Sequence, residues 1–150
     1  MNLYFVKVTQ TLHYIFFAEI ISRCNQLLSS TDDPTNTVRF TLDLGTILPL
    51  ASTAIKCRDK KVRRQAIALL WWNSRREGLC FDTITMARFC AWLSSIEGTL
   101  EDTEQIPESA RQIITYLNLS YEERWMAVQL TSSQINENGM HTYKETTFSW

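Results

Sequence analysis

A run of basic side chains between positions 56 and 64 is the first candidate for chemistry in this sequence. Its members are Lys56, Arg58, Lys60, Lys61, Arg63 and Arg64. Lysine and arginine bind phosphate oxygens, and positions 60, 63 and 64 share one side of a helix, so such a face can contact DNA backbone or act as a nuclear import signal. Because no aromatic ladder or groove-reading motif accompanies the charges, we favour the alternative of a solvated helix face whose arginine stems cover apolar neighbours.

The cysteines are the second candidate, as metal ligands. They are Cys24, Cys57, Cys80 and Cys90. A zinc cluster needs thiolates close together, so that one loop holds two ligands, and no two of these cysteines are so placed. His13 and His141 do not complete a ligand set. We therefore predict no metal site and no cofactor, with reduced thiols on or near helix faces in a cytosolic or nuclear compartment.

Two adjacent tryptophans, Trp71 and Trp72, are the third candidate. Large exposed aromatic side chains often mark a surface that binds a partner. The alternative that we favour is that at least one of them packs in the core or against the first helix of the chain.

Motifs of known catalytic centres are absent from the sequence. There is no G-x-S-x-G elbow, no H-E-x-x-H and no glycine-rich loop for phosphates, and no nucleophile signature surrounds any cysteine. The carboxylates between positions 97 and 108 have the pattern of a solvated acidic loop. We predict no catalytic residues and a protein that is not an enzyme.

The elements that position these residues are predicted to be mostly helices. The chain has 150 residues, enough for one domain over 1–150, and only 4 Gly and 3 Pro, which disfavours the many turns of a β-sandwich. A net charge of -1 argues against attraction of the whole protein to nucleic acid.

The opening segment has the spacing of an amphipathic helix. An apolar stripe recurs in steps of three and four, through Tyr14, Phe17, Ile21, Cys24 and Leu28. Polar side chains such as Lys7 and Glu19 interrupt the segment, so neither a membrane span nor a signal peptide is expected.

Further helices are predicted from capping residues and apolar stripes. One covers 46–57 with Thr46 as its cap, and the next is capped by Asp59. Asp82 caps a third, which Gly98 ends in a left-handed conformation. Pro107 lies at or just before the start of a helix through Leu117.

The last segment changes its period. Alternation from Arg124 to Leu130, the turn-forming residues Asn136–Gly139 and a Thr-rich, aromatic end indicate a β-hairpin over 122–150. The predicted fold is therefore mainly α, with packed antiparallel helices over 1–118 and a C-terminal β-hairpin.

Three segments in the middle of the chain follow one another in a distinctive order. They are Lys-Cys-Arg-Asp at Lys56–Asp59, Arg-Arg-Gln-Ala-Ile-Ala-Leu-Leu at Arg63–Leu70, and Arg-Glu-Gly at Arg76–Gly78. This order resembles the C-terminal part of the fungal-specific regulatory region of zinc-cluster transcription factors. The segment Ile106–Arg111 and the closing Phe148–Trp150 also resemble that region. The six closely spaced cysteines of the family's DNA-binding cluster are missing here.

The resemblance implies a truncated or stand-alone member of that family, acting in the nucleus on transcription, frequently of metabolic or secondary-metabolite genes. Because the zinc cluster is missing, the resemblance implies contacts with other transcription regulators or with a DNA-binding relative. It implies neither sequence-specific DNA binding by this chain nor binding to a membrane. An alternative is an interaction protein, or the product of a decayed gene, with no transcriptional role.

The Arg-Glu-Gly segment, formed by Arg76, Glu77 and Gly78, has two interpretations. They could form a functional turn. The interpretation that we favour is structural, with the carboxylate in an ion pair or capping a helix and Gly78 supplying a positive φ.

Overall fold

The computed structural model describes residues 3–29, 39–41, 45–77, 81–98 and 105–150, within which helices precede an antiparallel sheet. In chain order the elements are α1 (Leu3–Ser29), β1 (Arg39–Thr41), α2 (Ile47–Lys56), α3 (Lys60–Trp72), β2 (Arg75–Glu77), β3 (Phe81–Asp82), α4 (Thr83–Gly98), a 3-10 helix (Glu108–Ala110), β4 (Gln112–Ser120), β5 (Trp125–Ile135) and β6 (His141–Ser149). The fold is thus mixed α/β.

The prediction of a mainly α fold with a hairpin was wrong because the sheet has a third strand. β4 lies where a helix through Leu117 was expected. Pro107 precedes the short 3-10 helix, and the chain then becomes extended. Ile113 and Ile114 are β-branched, and together with Tyr116 they favour a strand over a helix.

Strands β4, β5 and β6 form a meander with β5 in the centre. Leu130 of β5 lies opposite Ile114 of β4 and Lys144 of β6. The predicted turn at Asn136–Gly139 is confirmed, with Gly139 at a φ of 76°. Alternate residues of β5 turn one face toward the helices, which buries Met126, Val128 and Leu130.

A second, smaller sheet joins the early and middle parts of the chain. β1 pairs with β2 in parallel, and β2 pairs with β3 in the antiparallel sense. Arg76 and Glu77 therefore lie in a strand, and the predicted turn at these two residues was wrong. Gly78 lies outside the described residues.

The core lies between the helices and the large sheet. Helices α2, α3 and α4 pack on one another, and α1 packs on α2 and α3. The largest fully buried apolar side chains are Ile47, Leu50, Leu70, Phe89, Leu93, Ile106, Met126, Leu130 and Val128. Only the end of the predicted stripe of α1 is buried, at Cys24 and Leu28, whereas Tyr14 is exposed.

The helix ends follow the predicted caps in two of four cases. The side chain of Asp59 accepts a hydrogen bond from the Val62 N–H at 2.9 Å, and Asp82 accepts one from the Thr85 N–H at 2.9 Å. The Thr46 side chain forms no capping hydrogen bond. Gly98 is the last residue of α4 and has no positive φ, so the predicted left-handed end was wrong. None of the described helices combines the length and apolar character needed to cross a bilayer.

Replacing Asp59 with alanine is expected to lower the free energy of unfolding by about 1 kcal/mol, because the first turn of α3 loses an acceptor for a backbone N–H. Urea unfolding measures this change. Glu122→Ala is the control, since Glu122 is an exposed acid in the turn before β5, and its effect should stay within about 0.5 kcal/mol. Equal losses in the two variants would contradict the capping role.

Candidate functional site

The basic run does not form one face. Arg63 is 0 % exposed, so for this residue both the favoured prediction of a solvated helix face and the alternative of a phosphate-binding face were wrong. Arg58 is half-buried and forms an ion pair with Glu108. Lys56, Lys61 and Arg64 are exposed, and Lys60 is half-buried. The exposed cations that remain of this run lie at the end of α2 and in the first turns of α3.

Arg63 is the centre of a buried ionic cluster. Its Nη1 lies 2.6 Å from Oε2 of Glu97, and both side chains are 0 % exposed. Its Nε–H donates to the Ala54 carbonyl at the end of α2. Glu97 Oε1 accepts the Gln112 N–H at 2.7 Å and lies 4.0 Å from Nε of Arg111.

This cluster of Arg63, Glu97 and Arg111 connects α2, α3, α4 and the start of β4. A buried charge is tolerated when it is paired and hydrogen-bonded. Arg63 and Glu97 are paired with each other, although Nη2 of Arg63 has no hydrogen-bond partner among the described residues. The prediction of a solvated acidic loop over 97–108 was therefore wrong for Glu97. Residues 101–104 of that segment lie outside the described residues.

Glu77 performs the capping that Thr46 does not. Its two carboxylate oxygens accept the N–H groups of Gly45, Thr46 and Ile47 at 3.0, 2.9 and 2.8 Å. Oε1 also accepts the Thr46 hydroxyl at 3.1 Å, and Arg75 Nη1 lies 3.3 Å from the same oxygen. An anion at a helix N-terminus also interacts favourably with the helix dipole.

The pKa of Glu77 reflects two opposing causes. Burial raises the pKa of the carboxyl group, but the hydrogen bonds from Ile47, Thr46 and Arg75 together outweigh burial and hold the pKa below its ordinary value. The carboxylate is therefore ionised in the folded protein at neutral pH. Glu77 is a structural anion that joins β2 to the start of α2.

The described cysteines are free and buried: Cys24, Cys57 and Cys90. Burial raises the pKa of all three thiols, and that of Cys90 to about 12. Only a thiolate acts as a nucleophile or metal ligand, so these cysteines fill space as small apolar groups. No group of His, Cys, Asp and Glu able to hold a metal ion occurs among residues that the structure describes. Cys80 is not among them.

The tryptophan pair borders an open groove between α3 and α4, which we call the α3–α4 groove. Its volume is about 830 Å³. Its lining residues are Lys60, Arg64, Ile67, Ala68, Trp71 and Trp72 of α3 and Ala91, Ser94, Ser95 and Gly98 of α4. Trp71 is 42 % exposed and Trp72 is 85 % exposed, so neither is buried in the core. That at least one of them packs against α1 stays a prediction.

The groove has an apolar part and a cationic end. Ile67 and Ala68 lie between Trp71 and the cations of the first turns of α3. Since Arg63 pairs with Glu97, the start of α3 lies beside the end of α4, which places the cations of the groove near Gly98. No carboxylate occurs among the described lining residues.

The sequence analysis identified the basic residues and the tryptophans of this groove, but only as two separate candidate sites. The spacing of Lys60, Arg64, Ile67 and Trp71 by three and four places them on one face of α3. It did not reveal that α4 would present only small side chains opposite them. Comparisons of the chain with family models, with curated proteins and with solved structures found no match.

Proposed function

We propose that this protein is a non-enzymatic regulator of transcription, of the type found in the regulatory region of fungal zinc-cluster factors, which acts through contacts with other proteins. The observation that carries the proposal is the α3–α4 groove. It leaves Trp72 85 % exposed beside Trp71, on a helix whose opposite face is buried. Exposed aromatic side chains of this size are enriched at the centres of protein interfaces.

The segments that carry the family resemblance have structural roles that agree with this proposal. Cys57 is buried, Asp59 caps α3, Arg63 forms the ionic cluster and Glu77 caps α2. These contacts between helices explain why the residues of the motif occur in this order, and the explanation requires no catalytic role for them. The exposed side chains of Trp71 and Trp72 take no part in these structural roles.

The charge distribution favours a protein partner over DNA. Burial of Arg63 and pairing of Arg58 interrupt the basic run between positions 56 and 64, and the chain has a net charge of -1. Binding to a DNA backbone gains most of its affinity from several phosphate contacts. A groove with an apolar part is better suited to a protein segment.

A tethering assay tests the transcriptional role. The full chain is fused to a heterologous DNA-binding domain, and expression of a reporter gene with the matching site is measured in a fungal host. We expect at least a threefold change relative to the DNA-binding domain alone. Deletion of the native gene should in parallel change the transcript profile. An unchanged reporter together with an unchanged profile would favour an interaction protein without a transcriptional role.

A further inference from the structure

We propose that strand β4 is an interface between two copies of this chain, which pair in the antiparallel sense through residues Tyr116–Ser120. A two-fold axis at Asn118 relates the copies, and their three-stranded sheets become one continuous sheet. Self-association of this kind goes beyond the proposed function and does not rest on the transcriptional role.

Strand β4 lies at an edge of the large sheet. Among residues that the structure describes, it pairs only with β5. At its start the Gln112 N–H donates to Glu97, and the register with β5 shifts between Ile114 and Tyr116. The regular part of the edge is therefore Tyr116–Ser120. Backbone N–H and C=O groups along such an edge are a template for a further strand.

The two edges of the sheet differ in charge. No residue of β4 is charged over Gln112–Ser120, whereas Lys144 and Glu145 lie in the middle of β6 and are exposed. Charged side chains are a common means by which proteins prevent the edge of a sheet from pairing. This protection is present at β6 and missing from β4, so β4 is the edge that we expect to pair.

The order of residues in β4 suits a second copy. Leu117 and Leu119 flank Asn118 symmetrically. In an antiparallel pair centred on Asn118, Leu117 of each copy lies opposite the partner's Leu119, and Tyr116 lies opposite the partner's Ser120. Asn118 lies opposite its own copy, where the side-chain amide both donates and accepts. Leucine thus meets leucine on one face and polar groups meet on the other, without any like charges in apposition.

The helices leave room for the second copy. Leu117 lies opposite Val128 and therefore on the side of the sheet that faces the helices, yet it is 44 % exposed whereas Val128 is buried. The helical layer does not fully cover β4 at this point. Leu119 already packs against the core of its own copy. Pairing would bury Leu117 between the two cores, which adds apolar area to the backbone hydrogen bonds.

Sedimentation velocity of the full chain tests self-association. The pairing segment is short, about 17 Å of strand in each copy, so the interface belongs to the weak class. We expect the mean mass to rise from one chain toward two, and no further, between about 1 and 200 µM protein. A two-fold interface uses one β4 edge from each copy and is closed at two chains.

A charged variant of β4 and a matched control locate the interface. Asn118→Lys places two ammonium groups opposite each other at the axis and should weaken self-association at least about tenfold, less so at high salt. Thr147→Lys is the control. Asn118 and Thr147 are both exposed and lie opposite the same residue, Ala127, on its two sides. The control should change self-association less than about threefold, and circular dichroism should show that both variants keep the fold.

A cross-linking experiment gives the register. Residues directly opposite in an antiparallel pair have Cα atoms about 4.5–5.5 Å apart, which a disulfide spans. We therefore expect Asn118→Cys to form a covalent dimer when diamide oxidises the two thiols. Thr147→Cys and the native chain, treated in the same way, should remain mostly single chains.

The outcomes distinguish a second copy from other occupants of this edge. A chain that stays single at 200 µM, and so leaves β4 free for a strand of another protein, overturns the inference. Growth beyond two chains, which pairing of β4 with β6 would produce, also overturns it. So do equal losses in the two lysine variants and cross-linking that is no stronger at Asn118→Cys than at Thr147→Cys. The tethering assay bears on none of these results, so the transcriptional role and the β4 interface stand or fall separately.

Discussion

Replacing Arg63 with alanine is expected to lower the free energy of unfolding by about 3–5 kcal/mol. The change leaves the Glu97 carboxylate without its cation at a site that is 0 % exposed, and it removes the donor to the Ala54 carbonyl. An unpaired buried charge is among the most destabilising defects in a folded protein. Because folded domains are stable by only about 5–15 kcal/mol, the variant is expected to be partly unfolded near 37 °C. Urea unfolding followed by circular dichroism measures the loss.

A matched control and a double variant identify the cause. Lys61→Ala removes a cation from the same helix at an exposed position and should change stability by no more than about 0.5 kcal/mol. Glu97→Gln retains an oxygen that can accept the Gln112 N–H. Combined with Arg63→Met, it should cost less than the sum of the single losses, because neither charge is then left alone. Additive losses would contradict a direct ion pair.

Replacing Glu77 is expected to have the second largest effect and to change the response to pH. Glu77→Ala should cost about 2–4 kcal/mol, since three backbone N–H groups at the start of α2 lose one common acceptor. The folded pKa of Glu77 lies below its ordinary value. Its ionised form therefore contributes stability above the unfolded pKa of glutamate, about 4.3. That contribution is lost as the pH falls through the folded pKa.

Glu77→Gln tests the pH dependence directly. Unfolding by urea at a series of pH values should show that the native protein loses stability below about pH 5, and that the variant, already weaker at neutral pH, loses less over the same interval. Glu122→Gln, at an exposed position, should retain the native slope. Parallel curves for the native protein and Glu77→Gln would refute the role given to this carboxylate.

Gly45 offers an independent test of the same cap. A Cβ at this position would lie 2.7 Å from Oε1 and 2.9 Å from Cδ of Glu77, which is too close for the carboxylate to stay in place. Gly45→Ala should therefore reproduce part of the loss of Glu77→Gln with the charge still present. The double variant should lose less than the sum of the two, because both changes act on the same hydrogen bonds.

Signals within a few residues predicted the elements that depend on local chemistry. Asp59 and Asp82 were found as caps because the hydrogen bond joins residues three positions apart. The Asn136–Gly139 turn was found because Asn and Gly adopt the conformations that it needs. For β4, the proline before the segment was given more weight than its run of β-branched residues, and the strand was missed.

The features that could not be predicted from the sequence depend on contacts between distant segments of the chain. Arg63 has the sequence pattern of an exposed helix residue, and its burial depends on an ion pair with Glu97, 34 positions away. Glu77 was considered as a capping carboxylate, but nothing near it in sequence identified α2 as the helix that it caps. The α3–α4 groove depends likewise on which face of α4 meets α3. Such pairings are set by packing of the whole chain.

The distance in sequence between Glu77 and the helix that it caps also sets an order of events during synthesis. Ile47 is added 30 residues before Glu77. At about 5–20 residues per second, this separation corresponds to roughly 2–6 s on the ribosome. A helix of ten residues such as α2 is marginal by itself. We therefore expect α2 to become stably folded in the nascent chain only after β2 has been synthesised.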